Sequence, residues 1–115
     1  EVDLEGVTIK ISKPEEWAGD WLYKPREFFK FVTIEVELEN KSKEIIRSDW
    51  GDFTLVDAYG YPYDGGPGKK PHFEVYLPPH TKKRGYVTFE IPKNSRPIAI
   101  LYKGEGGEVI FKIEK

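Results

Sequence analysis

With 115 residues, 33% of them charged and 38% hydrophobic, the chain suits one globular domain (1–115) whose core buries roughly two thirds of the unfolded surface. The net charge is −2 with acids and bases interspersed, so the basic face of a nucleic-acid binder is absent. There is no cysteine for disulfides, thiolate catalysis or cysteine-ligated zinc, and no apolar run near the ~20 residues of a membrane-spanning helix.

In chain order, apolar residues recur with a period of two, the mark of half-buried antiparallel strands. Val7, Ile9 and Ile11 open the series. Residues 14–25 show no alternation and are expected to form a long loop with at most one helical turn. FVTIEVELEN follows, with Val32, Ile34, Val36 and Leu38 on one face and Thr33, Glu35, Glu37 and Glu39 on the other. After the turn residues of NKSK come Phe53 and Leu55, then the YGYP turn and the GGPG of residues 65–68, expected as a flexible loop tip. The PPH turn leads to Val87, Phe89 and Ile91. IAILY at 98–102 is apolar on both faces and is expected to be covered on both sides; Val109, Phe111 and Ile113 end the series. The fold expected is all-β, an immunoglobulin-like antiparallel β-sandwich of about seven to nine strands.

Catalytic chemistry finds no support. There is no G-x-S-x-G elbow, Ser12, Ser42, Ser48 and Ser95 sit beside turns, and His72 and His80 flank a strand near prolines. GGPG lacks the Lys-Ser/Thr that a phosphate loop requires. No catalytic residue and no cofactor is expected.

Binding candidates lie in two stretches. In SDWGDFTLVDAYGYPYD, Asp49, Asp52, Asp57 and Asp64 offer oxygens, but their spacing does not follow the alternate-position ligands of a calcium loop. Capping and turn roles for these aspartates are preferred to metal binding. Tyr59, Tyr61 and Tyr63 crowd the same turn, and Trp17, Trp21 and Tyr23 lie in the non-alternating segment. Loop aromatics of this kind stack on sugars or on a partner protein. For Trp17 and Trp21 a lid folded over one end of the sandwich is the preferred reading. Asn40-Lys41-Ser42 matches a glycosylation sequon, although a hairpin turn is the preferred reading.

Three landmarks in order, FVTIEVELENKSKE (31–44), SDWGDFTLVDAYGYPY (48–63) and LPPHTKKRGYVTFEIPKNSRPIAILY (77–102), carry a family resemblance. The chain resembles the immunoglobulin-like family named after telomeric repeat-binding factor 2, a domain of unknown function common in prokaryotic surface lipoproteins. The matching features are Asn40 at a strand end, Leu55-Val56-Asp57 with Gly60, the turn from Pro78 to Thr81, and Gly85 to Pro92 as G-x-V-x-F-x-V-P, with Ile91 at its second valine. Two departures stand out: the usual Pro-Gly is Pro79-His80, and the aromatic insert at 17–23 is additional. The resemblance implies export to the cell surface, often behind a lipidated N-terminus, and supplies no ligand.

The expected function is therefore a non-catalytic, extracytoplasmic module that contacts a protein or cell-envelope component. Membrane contact is expected only through an N-terminal anchor already removed. Alternatives are a carbohydrate- or calcium-binding module and, behind these, a loop-presenting protease inhibitor. Dense charge without cysteine or methionine also suits a thermophilic source.

Overall fold

The longest apolar alternation becomes the centre of the structure. A computed structural model describes residues 1–113. Eleven strands occur along them: β1 (Val2–Leu4), β2 (Val7–Ile11), β3 (Glu15–Trp17), β4 (Phe29–Asn40), β5 (Ile46–Asp49), β6 (Phe53–Asp57), β7 (Pro62–Asp64), β8 (Glu74–Leu77), β9 (Thr81–Pro92), β10 (Pro97–Gly104) and β11 (Gly107–Lys112). The count exceeds the expected seven to nine because three-residue strands such as β1, β3 and β7 are too short to show alternation.

Every ladder is antiparallel, and the strands form an all-β sandwich. In the first sheet β4 is central, with β9 on one side and β2 and β3, placed end to end, on the other; β1 adds to β2. The second sheet runs β11-β10-β6-β7, and β5 pairs with β8 as a separate ribbon. Ile34, Val36 and Leu38 of β4, Val87, Phe89 and Ile91 of β9, Phe53 and Leu55 of β6, and Ile100 of β10 are completely buried. Each such side chain contributes about 1.5–3 kcal/mol relative to exposure. Val109, Phe111 and Ile113 pack against this core, as the alternation predicts.

Residues 14–25 correct the expectation of a continuous loop. Ile11 pairs with Val36 and Glu15 with Thr33, so four steps on one strand oppose three on the other: a β-bulge at Ser12–Lys13–Pro14. Pro14 has no N–H to give the ladder. Ser12 keeps the two chains joined, its N–H donating to Glu35 O (2.9 Å) and its Oγ accepting from Glu35 N (2.8 Å). The extra residue reverses which positions face inward. Odd residues of β2 enter the core, whereas Trp17 of β3 lies opposite outward-facing Phe31.

Two further expectations change. β10 buries Ile100 and Tyr102 on its inner face, but Ala99 and Leu101 stay half-buried because no element among the described residues covers the outer face of the second sheet, and Ile98 is exposed where the β10–β6 register shifts between Pro97 and Ala99. Residues 65–68 are no free tip. Gly66 exchanges hydrogen bonds with Thr88 (2.8 and 3.1 Å), and Tyr86 does so with Pro71 and Phe73 (2.7 and 2.9 Å), so this segment covers the outer edge of β9.

Gly85 and His80 bring testable consequences. A Cβ on Gly85 lies 2.7 Å from His72 O and from the backbone of Phe73, which cannot yield. Gly85→Ala is expected to destabilise the protein by about 1–3 kcal/mol in urea denaturation. His80 occupies φ +66°, the left-handed region that glycine adopts without strain. His80→Gly is expected to stabilise by about 0.5–1 kcal/mol, since relief of left-handed strain outweighs the glycine's extra unfolded-state entropy.

Candidate functional site

The aromatic insert closes over the outer face of the first sheet. Trp17 stacks on Phe31 with ring centroids 5.5 Å apart and planes at 24°. Tyr23 sets its ring edge against His72 (6.1 Å), which Trp50 meets from elsewhere (5.9 Å). Beneath this cover Phe31, Thr33 and Thr88 are buried although they point away from the core. The lid therefore exists for Trp17 and Tyr23, on a sheet face rather than at an end of the sandwich. Trp21 does not join it and is 85% exposed.

Between residues 22–26 and the strip 64–67 runs an open cleft of about 390 Å³ over Thr88 and Glu90. It brings Tyr23 and Asp64 together with Lys24 and Arg26. Arg26 is already engaged, its Nε 2.9 Å from Glu90 Oε1 and its guanidinium 4.1 Å above the Phe29 ring.

The remaining aspartates separate. Asp49 caps the single 3-10 turn Trp50–Asp52, its Oδ1 accepting from Gly51 N (2.8 Å), while Asp52 accepts from Ser48 Oγ (2.8 Å) and from Asp49 N (3.4 Å). Burial pushes the Asp52 carboxyl up despite these bonds, and the nearby charges of Asp49 and Glu105 act in the same direction. Asp57 stands at the far end of β6, about 13 Å of strand away. No group of three or more His, Asp or Glu side chains arranged to hold a metal occurs among the described residues.

Asp57 is a structural hub. It is 2% exposed, and its two oxygens accept from the N–H groups of Tyr59 and Tyr61 (both 3.0 Å), Ser95 Oγ (2.9 Å) and Tyr63 Oη (3.3 Å). These bonds fix the β6–β7 turn and tie it to the β9–β10 connection. Tyr63 is thereby committed to the scaffold, while Tyr59 and Tyr61 remain 80% and 64% exposed. Asn40 is equally committed. Its Nδ2 donates to Glu44 O (2.7 Å) and Leu77 O (3.0 Å) with the side chain fully buried, so the folded sequon offers no nitrogen to a glycan.

One feature was not visible as a site in the sequence. A cleft of about 310 Å³ beside the bulge is lined by Pro14, Val32 and Pro97 and by charges of both signs, with Lys30 paired to Glu16 (3.4 Å). The signal for it was Lys13-Pro14 interrupting an alternating run, which reads equally as a loop.

Burial raises the Asp57 carboxyl, but the four donated bonds together lower it further, so its folded pKa lies below the ordinary carboxylate value. A depressed carboxyl contributes stability above the unfolded pKa and loses it as pH falls through the folded one. Asp57→Asn is therefore expected to lower the urea midpoint at neutral pH, with the gap to wild type narrowing as the pH falls through and below the ordinary carboxylate range. A gap independent of pH in paired urea titrations counts against the charged role.

Solved structures repeat this sandwich. A candidate lipoprotein, ycdA of Bacillus subtilis subsp. subtilis str. 168, superposes with a TM-score of 0.73 at 15% identity, over 98% of this chain but 38% of that one. The yjhA protein of Bacillus subtilis gives 0.71 at 16% identity over 95% and 92% of the two chains. The secreted protein MPT63 of Mycobacterium tuberculosis gives 0.70 at 11% identity over 92% and 82%. At these identities the likeness is one of fold. The chain thus spans well under half of ycdA and most of the other two. No protein of curated function matches the sequence. At the level of family the match is to a domain of unknown function and carries no telomeric-factor name. It spans residues 2–112, and the chain belongs to the family Domain of unknown function (DUF4352).

Proposed function

We propose that this chain is a non-catalytic, extracytoplasmic interaction module whose partner is a protein or other cell-envelope component. The observation that carries the reading is the contrast between the two outer faces. On the first sheet, Glu37 faces Arg84 and Lys10, and Glu39 faces Lys82, a cross-strand array of opposite charges that stays hydrated. On the second sheet the outward rows have an apolar centre, Val56 beside Ala99 and Leu101 beside the 64% exposed Ile110, bounded by Thr54 and Lys112. The row ends at β11, whose other edge has no partner strand among the described residues. An apolar strip leading to an open edge is the surface a partner strand or flat partner face covers.

The extracytoplasmic part of the reading is supported by relatives of the same fold described as a candidate lipoprotein and a secreted protein. The ordered landmarks from Asn40 to Pro92 support the finer grouping with the telomeric-factor-named domains. A second reading, a carbohydrate-binding module, rests on the cleft that gathers Tyr23, Asp64 and Lys24.

Ile110→Glu places a charge in the apolar strip without entering the core. Retention of the protein on isolated envelope fractions is expected to fall roughly tenfold or more in this variant, as loss of one buried anchor implies. Unchanged retention removes the strip as the contact surface. Saccharide hits on a glycan array that disappear with Tyr23→Ala favour the second reading.

A further inference from the structure

We infer that the turn at residues 20–23 is a membrane-contact tip, with Trp21 and Leu22 entering the interfacial layer of a lipid bilayer and Lys24 and Lys70 resting on its headgroups. This inference goes beyond the interaction-module reading and rests on a different surface, on the side of the first sheet.

The tip is built before any partner arrives. Asp20 N–H donates to Tyr23 O (2.8 Å), and Asp20 Oδ1 accepts from Leu22 N (2.9 Å) and Tyr23 N (2.8 Å). Gly19 enters the turn at φ +93°, and a Cβ there would collide with Tyr23 O, so the chain is pinned at its entry. At its exit the Tyr23 ring rests against His72. Between these fixed points Trp21 is 85% and Leu22 57% exposed. Two large apolar side chains are thus held in water on a rigid turn, and their docking carries little ordering entropy.

The chemistry around them selects the occupant. The Asp20 carboxylate, the one acid in the turn, accepts from two backbone amides, which hold its pKa down. Lys24 follows the turn, and Lys70 lies close enough to Asp20 to act on its charge; both are exposed. A tryptophan and a leucine flanked by lysines match the composition that settles at a bilayer interface, the ring among the headgroups and the ammonium groups on phosphates. A protein partner fits less well. To cover this convex pair it must supply a pocket shaped to two protruding side chains. A bilayer receives an isolated protruding pair without a complementary pocket. Insertion of two side chains gives reversible contact, strengthened by anionic lipid.

Sedimentation with sucrose-loaded vesicles tests this, using phosphatidylcholine alone and phosphatidylcholine mixed with phosphatidylglycerol. The wild-type chain is expected to sediment with both, more strongly with the anionic mixture, and Trp21→Ser is expected to lower the partition coefficient roughly tenfold. Lys24→Glu combined with Lys70→Glu is expected to abolish the preference for anionic lipid. Depth is read with brominated lipid. Trp17 and Trp50 pack against Phe31 and His72, so bromine should quench Trp21 in the wild type, and Trp21→Phe should keep sedimentation while losing that quenching. Trp21 projects into solvent, and unchanged thermal melting verifies that each variant is folded. Absence of wild-type sedimentation with either vesicle overturns the inference, as does equal sedimentation of wild type and Trp21→Ser, or quenching that survives in Trp21→Phe. Tip-dependent binding to a purified envelope protein without vesicle binding also overturns it, and leaves the interaction-module reading standing.

Discussion

The pairing of β4 with β9 in one unbroken register, from Phe29 opposite Pro92 to Asn40 opposite Thr81, sets what every other segment can do. Its inner face supplies the aliphatic half of the core. Its ends are closed by specific bonds: Lys93 N–H to Phe28 O (3.0 Å) at one, and His80 N–H to Asn40 O (2.7 Å) at the other. Asn40 then extends the closure sideways to Leu77 and Glu44, which fixes where the β5–β8 ribbon begins. A slip of one residue in this ladder would send Ile34, Val36 and Leu38 to the solvent face and the glutamates inward, at a cost of several buried side chains. Register and core are one constraint here.

Much of this ladder was legible because it obeys a single rule. FVTIEVELEN alternates from Val32 to Leu38 and YVTFEIP from Val87 to Ile91, and these apolar positions found the core. Legibility fails where the rule is broken locally. The bulge at Ser12–Lys13–Pro14 inserts one residue, so the phase that works for β2 predicts the wrong face for β3. Trp17 reads as a loop residue for that reason, although it is a strand residue stacked on an outward phenylalanine. IAILY fails differently: its pattern is compatible with burial on both faces, and only the arrangement of the rest of the chain leaves its outer face open.

The aspartates show why site chemistry is harder to read than strand pattern. Asp49, Asp52, Asp57 and Asp64 lie within one short stretch, and residue type alone leaves capping, hub and ligand roles open. What separates the roles is the supply of donors. Asp57 receives two backbone amides and two hydroxyls, one of them from Ser95, distant in sequence. Asp49 receives an amide two residues away. A carboxylate saturated with internal donors has little left for a cation, and the partner that completes that saturation is set by tertiary folding rather than by spacing. The same logic applies to Tyr63, whose hydroxyl is spent on Asp57, and to Tyr59 and Tyr61, whose rings are not.

The edges of the two sheets have been treated unequally, and that asymmetry is itself informative. At β9 the chain uses residues 65–73 to occupy the outer edge, with Gly65 and Gly68 allowing backbone to approach where a Cβ would meet Val87 or Thr88. On the opposite side β2 and β3 are kept short by the bulge, and Pro14 breaks the row of donors. Such devices stop sheets from pairing with strangers. β11 has no proline, no bulge and no partner strand over Gly107–Lys112 among the described residues; its edge carries only the charges of Glu108 and Lys112, with Ile110 exposed beside Leu101. A chain that guards its other long edge so thoroughly has the means to guard this one. Retaining an open apolar edge costs solubility in the free protein, and that cost is offset when something covers the edge. In the interaction-module reading proposed above, this strand is the surface that a partner would cover.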